Sequence, residues 1–262
     1  MESIPLPQSI KTVNLGSNHD QVIIEPFFPG YGTTIANALR RVLLSSLPGA
    51  AITAVKVNGV SHEFSSLPGV KEDMVDIILN LKRMKFKLHG DQPVKVHLKV
   101  SGIKEVTGAD IKTTSDVEVM NKEQFIASIT DKKGEIDMEF TVNKGRGYVP
   151  VEAREKESVE LGQIAVDSIF TPIVKVGFTV DDVRVGQQTN FDKITLDIET
   201  DGSISPLDAV KESASILVNH FNFIQGGEEP VIAHAVADEV PQSEDDSGEQ
   251  KTKKRGRPKK DA

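Results

Sequence analysis

The chain has 262 residues, of which 38% are hydrophobic, and its formal net charge is −8 at pH 7. This length and hydrophobic content suit two modest domains with apolar cores and exclude a wholly disordered chain. The absence of cysteine excludes disulfides, thiolate metal sites and cysteine nucleophiles, and it suits a reducing cytoplasm. No run of about 18 apolar residues occurs, so we expect no membrane span. The first residues also lack the pattern of a secretory signal.

Two strands and a helix are predicted near the start of the chain. A run of β-branched residues favours strands between residues 10 and 28. A helix is expected to begin at Thr33 or Thr34, either of which would cap it, and to end at Pro48-Gly49. Its helical periodicity rests on six apolar residues: Ile35, Ala38, Leu39, Val42, Leu43 and Leu47.

The middle of the chain reads mostly as strands. A second helix is predicted over residues 70–81, and short alternating runs of apolar and polar residues between 85 and 142 predict an antiparallel, half-exposed sheet. The sequence Gly145-Arg146-Gly147 is interpreted as a tight connection between strands. Further strands are predicted over residues 173–180 and 193–199.

A last helix is predicted from Pro206 to about Gln225, with Ser205 as its cap and Gly226-Gly227 as its end. Six of its apolar residues recur at spacings of three and four: Leu207, Val210, Ala214, Leu217, Phe221 and Ile224. Since other apolar residues lie on a separate face, two surfaces must cover this helix. The second surface is either the core of the same chain or a second copy of the protein.

The first predicted helix also has a notable outer face. Asn37, Arg41 and Leu44 lie together on the side opposite the apolar stripe. Arginine beside an exposed leucine is common on partner surfaces, but a solvated face with one exposed leucine is the more ordinary case. Composition and spacing leave both interpretations open.

No catalytic or metal-binding pattern is found in the sequence. It has no phosphate-binding loop, nucleophile elbow or zinc-protease motif, and its six histidines are not spaced as metal ligands. We therefore expect no catalytic residue, no metal and no cofactor bound by this chain. A DNA-binding architectural protein and a metabolic enzyme with a site built from scattered residues are two functions that these patterns leave open.

Four collinear segments resemble the amino-terminal region of bacterial RNA polymerase alpha subunits. They are NALRRVLLSSLPG (37–49), HEFSSLPGVKEDMVDIILNLK (62–82), GRGYVP (145–150) and VRVGQQTNFDKITLDIETDGSISP (183–206). In that family a homodimeric subunit assembles the large β and β′ subunits in the cytoplasm without catalysing the reaction itself. The resemblance implies this scaffold role, within a nucleotidyltransferase complex, for the present chain.

The resemblance also implies an α+β fold with an inserted domain. A discontinuous dimerisation domain, made of a sheet and two long helices, would comprise residues 1–48 and 173–227. A β-rich domain of residues 49–172 would be inserted into it. Composition, and not the resemblance, predicts a disordered acidic-then-basic tail over residues 228–262, which have no periodicity and are rich in proline, serine and charge. In this family the first and last helices form the dimer interface. The residues expected there are Ile35, Leu39, Val42, Leu43, Leu207, Val210, Ala214, Leu217, Phe221 and Ile224.

By position within the matching segments, particular residues correspond to docking positions of the family. Arg41 and Leu44 match positions that contact β. Lys82 and Val166 match positions that hold β′.

The end of the chain departs from the family pattern. About 35 residues follow the last predicted helix, fewer than the usual small carboxy-terminal domain needs, so we expect that domain to be absent. Instead the sequence KKRGRPKK, residues 253–260, resembles an AT-hook, whose Arg-Gly-Arg-Pro core lies in the minor groove of A·T-rich DNA. Arg255, Gly256, Arg257 and Pro258 are thus candidate DNA contacts. The alternative is a basic end that only aids solubility.

Overall fold

The computed structural model of the chain describes residues 4–60, 62–154 and 162–226. Within these ranges it has three α-helices: α1 (Tyr31–Ser45), α2 (Met74–Leu81) and α3 (Pro206–Ile224). Its strands in the same ranges are β1 (Ser9–Gly16), β2 (His19–Phe27), β3 (Pro48–Val57), β4 (Phe86–Leu88), β5 (Val94–Ser101), β6 (Lys104–Thr107), β7 (Ile111–Lys112), β8 (Val117–Val119), β9 (Phe125–Ile129), β10 (Glu135–Arg146), β11 (Tyr148–Val149), β12 (Gln163–Ala165), β13 (Ser168–Ile169), β14 (Ile173–Val185) and β15 (Gln188–Thr200). None of these helices is both long and apolar enough to cross a membrane. The predicted mixture of helices and mostly antiparallel strands is confirmed.

The first and last strands along the described chain form one antiparallel sheet, in the order β1-β2-β15-β14. Ile194, Leu196 and Ile198 alternate along β15, so they point to the same face, where they are fully buried. They share a hydrophobic core with Leu39 and Leu43 of α1 and with the first half of α3. Both helices are therefore packed on one face of this sheet.

A second, larger sheet is built around β3 and β10. Its strand order is β7-β5-β10-β3-β4-β8, and β12 pairs with β3. The helix α2 buries Met74, Ile77 and Leu81 in the core beneath this sheet. This core extends from Ile52 to Val166 and shares no residue with the first. The described residues thus form two separate hydrophobic cores.

The predicted starts of the first two helices are wrong. The cap of α1 is Gly30, in a left-handed conformation, and not Thr33 or Thr34. The helix α2 begins at Met74, where the Asp73 side chain caps it, because the predicted first residue, Val70, pairs instead with a strand residue. Thr33 and Thr34 thus lie inside α1, and α2 is shortened at its start by the pairing of Val70 with Ile129, while its cap, Asp73, is local.

The strand β3 was not predicted, and the interpretation of Gly145-Arg146-Gly147 as a tight connection holds only for Gly147, which lies between β10 and β11. Gly145 and Arg146 lie within β10, paired with Gly49 and Pro48 of β3. A Cβ at Gly49 would overlap the carbonyl oxygen of Phe170, and a Cβ at Gly145 would come within 2.7 Å of the Phe170 ring. Both glycines therefore serve close packing of the two strands against Phe170.

Candidate docking surfaces

A carboxylate from the neighbouring sheet holds the N-terminus of α1. The backbone N–H of Gly32 donates to Asp192 Oδ2 at 2.8 Å, whereas the N-cap residue, Gly30, provides no side-chain hydrogen bond. A Cβ at position 32 would lie only 2.7 Å from the Asp192 Cβ. Negative charge is favourable at a helix N-terminus, where backbone N–H groups lack partners within the helix. Asp192 therefore fixes the start of α1 against β15.

The anchored helix presents one buried and one exposed face. The structure exposes Arg41 and Leu44, as the periodicity predicts. Leu39 and Leu43 lie in the core that α1 shares with the sheet and are 4% and 0% exposed. Their prediction as dimer contacts is corrected, because side chains covered within one chain have almost no surface left for a partner.

The helix α3 begins as predicted. The Ser205 Oγ accepts the backbone N–H of Asp208 at 3.2 Å, and Pro206 occupies the first turn. Val210 is buried in the core together with Ala209. Val210 is therefore also removed from the predicted dimer contacts, since the same chain already covers it.

The second half of α3 is apolar and uncovered. Phe221 is 61% exposed and Ile224 is 76% exposed, and Val218 and Phe223 are exposed beside them. We call these four residues the α3 patch. Four other predicted dimer contacts are half-buried at the margin of the core: Ile35, Leu207, Ala214 and Leu217. Val42, the remaining one, is also half-buried. Four large apolar side chains exposed on half of one helix make it a candidate interaction surface.

A groove of about 650 Å³ lies between α2 and β12. Lys82 at the end of α2 and Val166 just after β12 both line it, although they are far apart in sequence. Val166 is only 2% exposed and belongs to the core beneath the groove. Val166 therefore shapes the floor of the groove and has almost no surface of its own, and its part in holding β′ stays a prediction.

Asp167 connects three segments around this groove. Its Oδ2 lies 3.1 Å from the Lys82 ammonium, and its Oδ1 accepts the backbone N–H of Val151 at 3.0 Å. The hydrogen bond from Val151 and then that from Lys82 hold the pKa of the Asp167 carboxyl below its ordinary value. Arg154 ties the same region together by donating to the carbonyl oxygens of Thr53 and Val166. The charge of Lys82 is thus balanced within the chain itself.

Sequence comparisons place this chain among known proteins. The family profile of the RNA polymerase Rpb3/RpoA insert domain matches residues 55–171. A DNA-directed RNA polymerase subunit alpha from Moorella thermoacetica is 48% identical over 231 residues, which cover 88% of this chain and 72% of that protein. The chain belongs to the bacterial RNA polymerase alpha-subunit family. Two other alpha subunits agree with this assignment. The one from Roseiflexus sp. is 44% identical over 89% of this chain and 73% of that protein. The one from Clostridium beijerinckii is 50% identical over 79% of this chain and 66% of that protein.

Two residues that organise the surfaces of this alpha-subunit chain were missed in the sequence. Asp192 has one weak signal: Gly30 at the start of α1 has no side chain that could accept from the first N–H groups, so an acceptor must come from elsewhere. Asp167 has no local signal, because its partners, Val151 and Lys82, are brought to it by the fold. Within the described residues, no three acidic or histidine side chains converge on a possible metal position.

Proposed function

We propose that this chain is a homodimeric scaffold that assembles the β and β′ subunits of a DNA-directed RNA polymerase. The relatives are named as subunits of that polymerase. The observation that carries the proposal is the α3 patch, which a monomer would leave in water. A scaffold acts by presenting surfaces, so the proposed role involves no catalysis and no cofactor bound by this subunit. Its proposed place of action is the cytoplasm, where the polymerase would meet DNA.

The dimer interface is inferred to combine α1 and α3. Phe221 and Ile224 would bury their exposed surface against a second copy, and the half-buried residues at the margin of the core would extend the contact. Closed two-fold pairing suits such a self-complementary apolar stripe. The proposed dimerisation domain is residues 1–48 with 173–227, and the proposed inserted domain is residues 49–172. The two separate cores and the family match over 55–171 support this division.

The exposed face of α1 is the proposed docking surface for β. Arg41 and Leu44 lie one turn apart on this face, and Asp192 holds the helix that presents them. An arginine next to an aliphatic side chain can make both charge-assisted and apolar contacts with a partner. The support is therefore their common exposure on one rigid helix.

The groove between α2 and β12 is the proposed docking surface for β′. Lys82 lies at its edge and Val166 shapes its floor. The groove lies over one hydrophobic core, and α1 packs on the other. The two large subunits would therefore bind different parts of the chain.

Order-of-addition capture tests this role. The tagged chain, immobilised as purified, is offered the β subunit of the same organism, then β′. The scaffold predicts retention of β by the chain, followed by retention of β′ on the resulting complex. Failure to retain β under any order of addition would contradict the proposal.

A contact with A·T-rich DNA is a second proposal, made for residues 255–258, which lie outside the described residues. It is supported by their chemistry alone: Arg255 and Arg257 suit the negative potential of a narrow minor groove, and Gly256 and Pro258 suit an extended chain close to the bases. Polymerase assembled with a chain ending at Gln250 should bind A·T-rich upstream DNA less tightly. Equal binding to that of the full chain would contradict it.

A further inference from the structure

The groove between α2 and β12 combines an apolar interior with large apolar side chains at its edge. Ile78 of α2 and Ile164 of β12 line it. Phe64 and Leu79, which also line it, are 79% and 50% exposed. Aromatic and aliphatic side chains at a concave surface act as anchors in protein interfaces. The groove therefore has the shape and composition of a site for a protein segment.

The charge of the groove is negative in spite of Lys82. Its described lining residues include the carboxylates of Glu63, Glu152 and Asp167 and one ammonium, that of Lys82. That ammonium lies 3.1 Å from Asp167, so the two groups compensate each other. Glu63 and Glu152 are both exposed, and they set the sign of the field that an approaching partner meets.

We propose that this groove receives a segment of the β′ subunit that carries an apolar side chain next to lysine or arginine. The inference rests on the proposed function and specifies the chemistry of its partner. If Lys82 were a free contact residue, an acidic partner would be expected. Because Asp167 already neutralises Lys82, the exposed carboxylates favour a basic partner, and the apolar interior favours an anchoring side chain beside it.

Charge reversal tests the sign of the partner. The double variant Glu63→Lys/Glu152→Lys is compared with Glu105→Lys/Glu118→Lys, which makes the same charge change at exposed positions of β6 and β8. Each chain is first assembled with β, and β′ is then titrated into the complex. We expect about tenfold weaker capture of β′ for the groove variant and little change for the control, because attraction is replaced by like-charge repulsion.

Salt dependence separates this effect from misfolding. Screening shortens the range of electrostatic interactions to about 3 Å at 1 M salt, so the difference between the groove variant and the wild type should shrink as salt is raised. A folding defect would leave the difference unchanged. Wild-type or tighter capture by the groove variant, or a difference independent of salt, would overturn the proposal.

The anchoring part is tested by the variants Phe64→Ser and Leu79→Gln. Ile103→Gln removes an equally exposed apolar side chain, 62% exposed, from another part of the chain and serves as the control. We expect each groove variant to weaken capture of β′ by about tenfold or more, because such anchors dominate interface energetics. Unchanged capture by both would overturn the apolar part of the proposal. Capture of β by all variants shows that the scaffold role survives, whereas loss of β from the wild type would mean that the proposed function itself fails.

Discussion

Removal of the Asp192 carboxylate should destabilise α1 and leave its exposed face intact. Asp192 Oδ2 accepts the backbone N–H of Gly32 at 2.8 Å, and the helix has no side-chain cap from Gly30. Loss of a capping carboxylate typically costs about 0.5–2 kcal/mol. Because Asp192 is 8% exposed, water can replace the lost acceptor only poorly, so we expect the upper half of that range for Asp192→Ala. Asp192→Asn retains an acceptor and should lose only about 0.3–1 kcal/mol, the share due to charge at a helix N-terminus.

Urea unfolding of each variant measures these differences in the free energy of unfolding. All variants are compared at the same protein concentration, because dimerisation makes stability depend on concentration. The control is Asp181→Ala, which removes an exposed carboxylate 3.4 Å from Lys193 in the same sheet. An exposed pair of this kind contributes about 0–1 kcal/mol. If Asp192→Ala lost no more stability than Asp181→Ala, the carboxylate would not anchor the start of α1.

Three further outcomes are expected. Phe221→Asp should sediment as a monomer at micromolar concentration, because a charge buried at an apolar interface costs several kcal/mol. The control Asn222→Asp introduces the same charge at the next residue and should change sedimentation less. A dimeric Phe221→Asp would exclude the α3 patch from the interface. Arg41→Ala should weaken capture of β by about 30- to 4,000-fold, as loss of a buried charge-assisted contact does. The control Arg40→Ala should not weaken it, since the Arg40 guanidinium donates to the carbonyl oxygen of Val176 in its own chain. Normal capture by Arg41→Ala would remove Arg41 from the docking surface. Because the pKa of Asp167 is lowered, its carboxylate contributes fully to stability above the ordinary carboxyl pKa of about 3.9, and this contribution is lost as pH falls through the lowered pKa. The thermal stabilities of the wild type and Asp167→Asn should therefore differ by a constant amount from neutral pH down to about pH 4. Convergence of the two stabilities already at about pH 6 would contradict this.

Features with local chemical causes were predictable from the sequence. The start of α3 was found because Ser205 and Pro206 suit the N-cap and the first turn of a helix. The outward position of Arg41 was found because helical periodicity separates two faces. Both inferences need only residues within a few positions of one another.

Features that depend on distant contacts were not predictable in this way. Pro48 and Gly49 resemble a chain break, yet they begin β3 because they pair with β10 and because Phe170 packs against Gly49. The apolar stripe of α1 revealed that a surface must cover it, but periodicity cannot distinguish the same chain from a second copy. Leu43 was assigned to a partner on the family resemblance, although its own sheet covers it.

The central claim of a dimeric assembly scaffold is tested most directly by the mass of the assembly in solution. The chain alone should have twice its monomer mass of 28.5 kDa. Co-expression with β and β′ of the same organism should give a complex that contains two copies of the chain with one copy of each large subunit. A monomeric chain that remains separate from both large subunits would contradict the account.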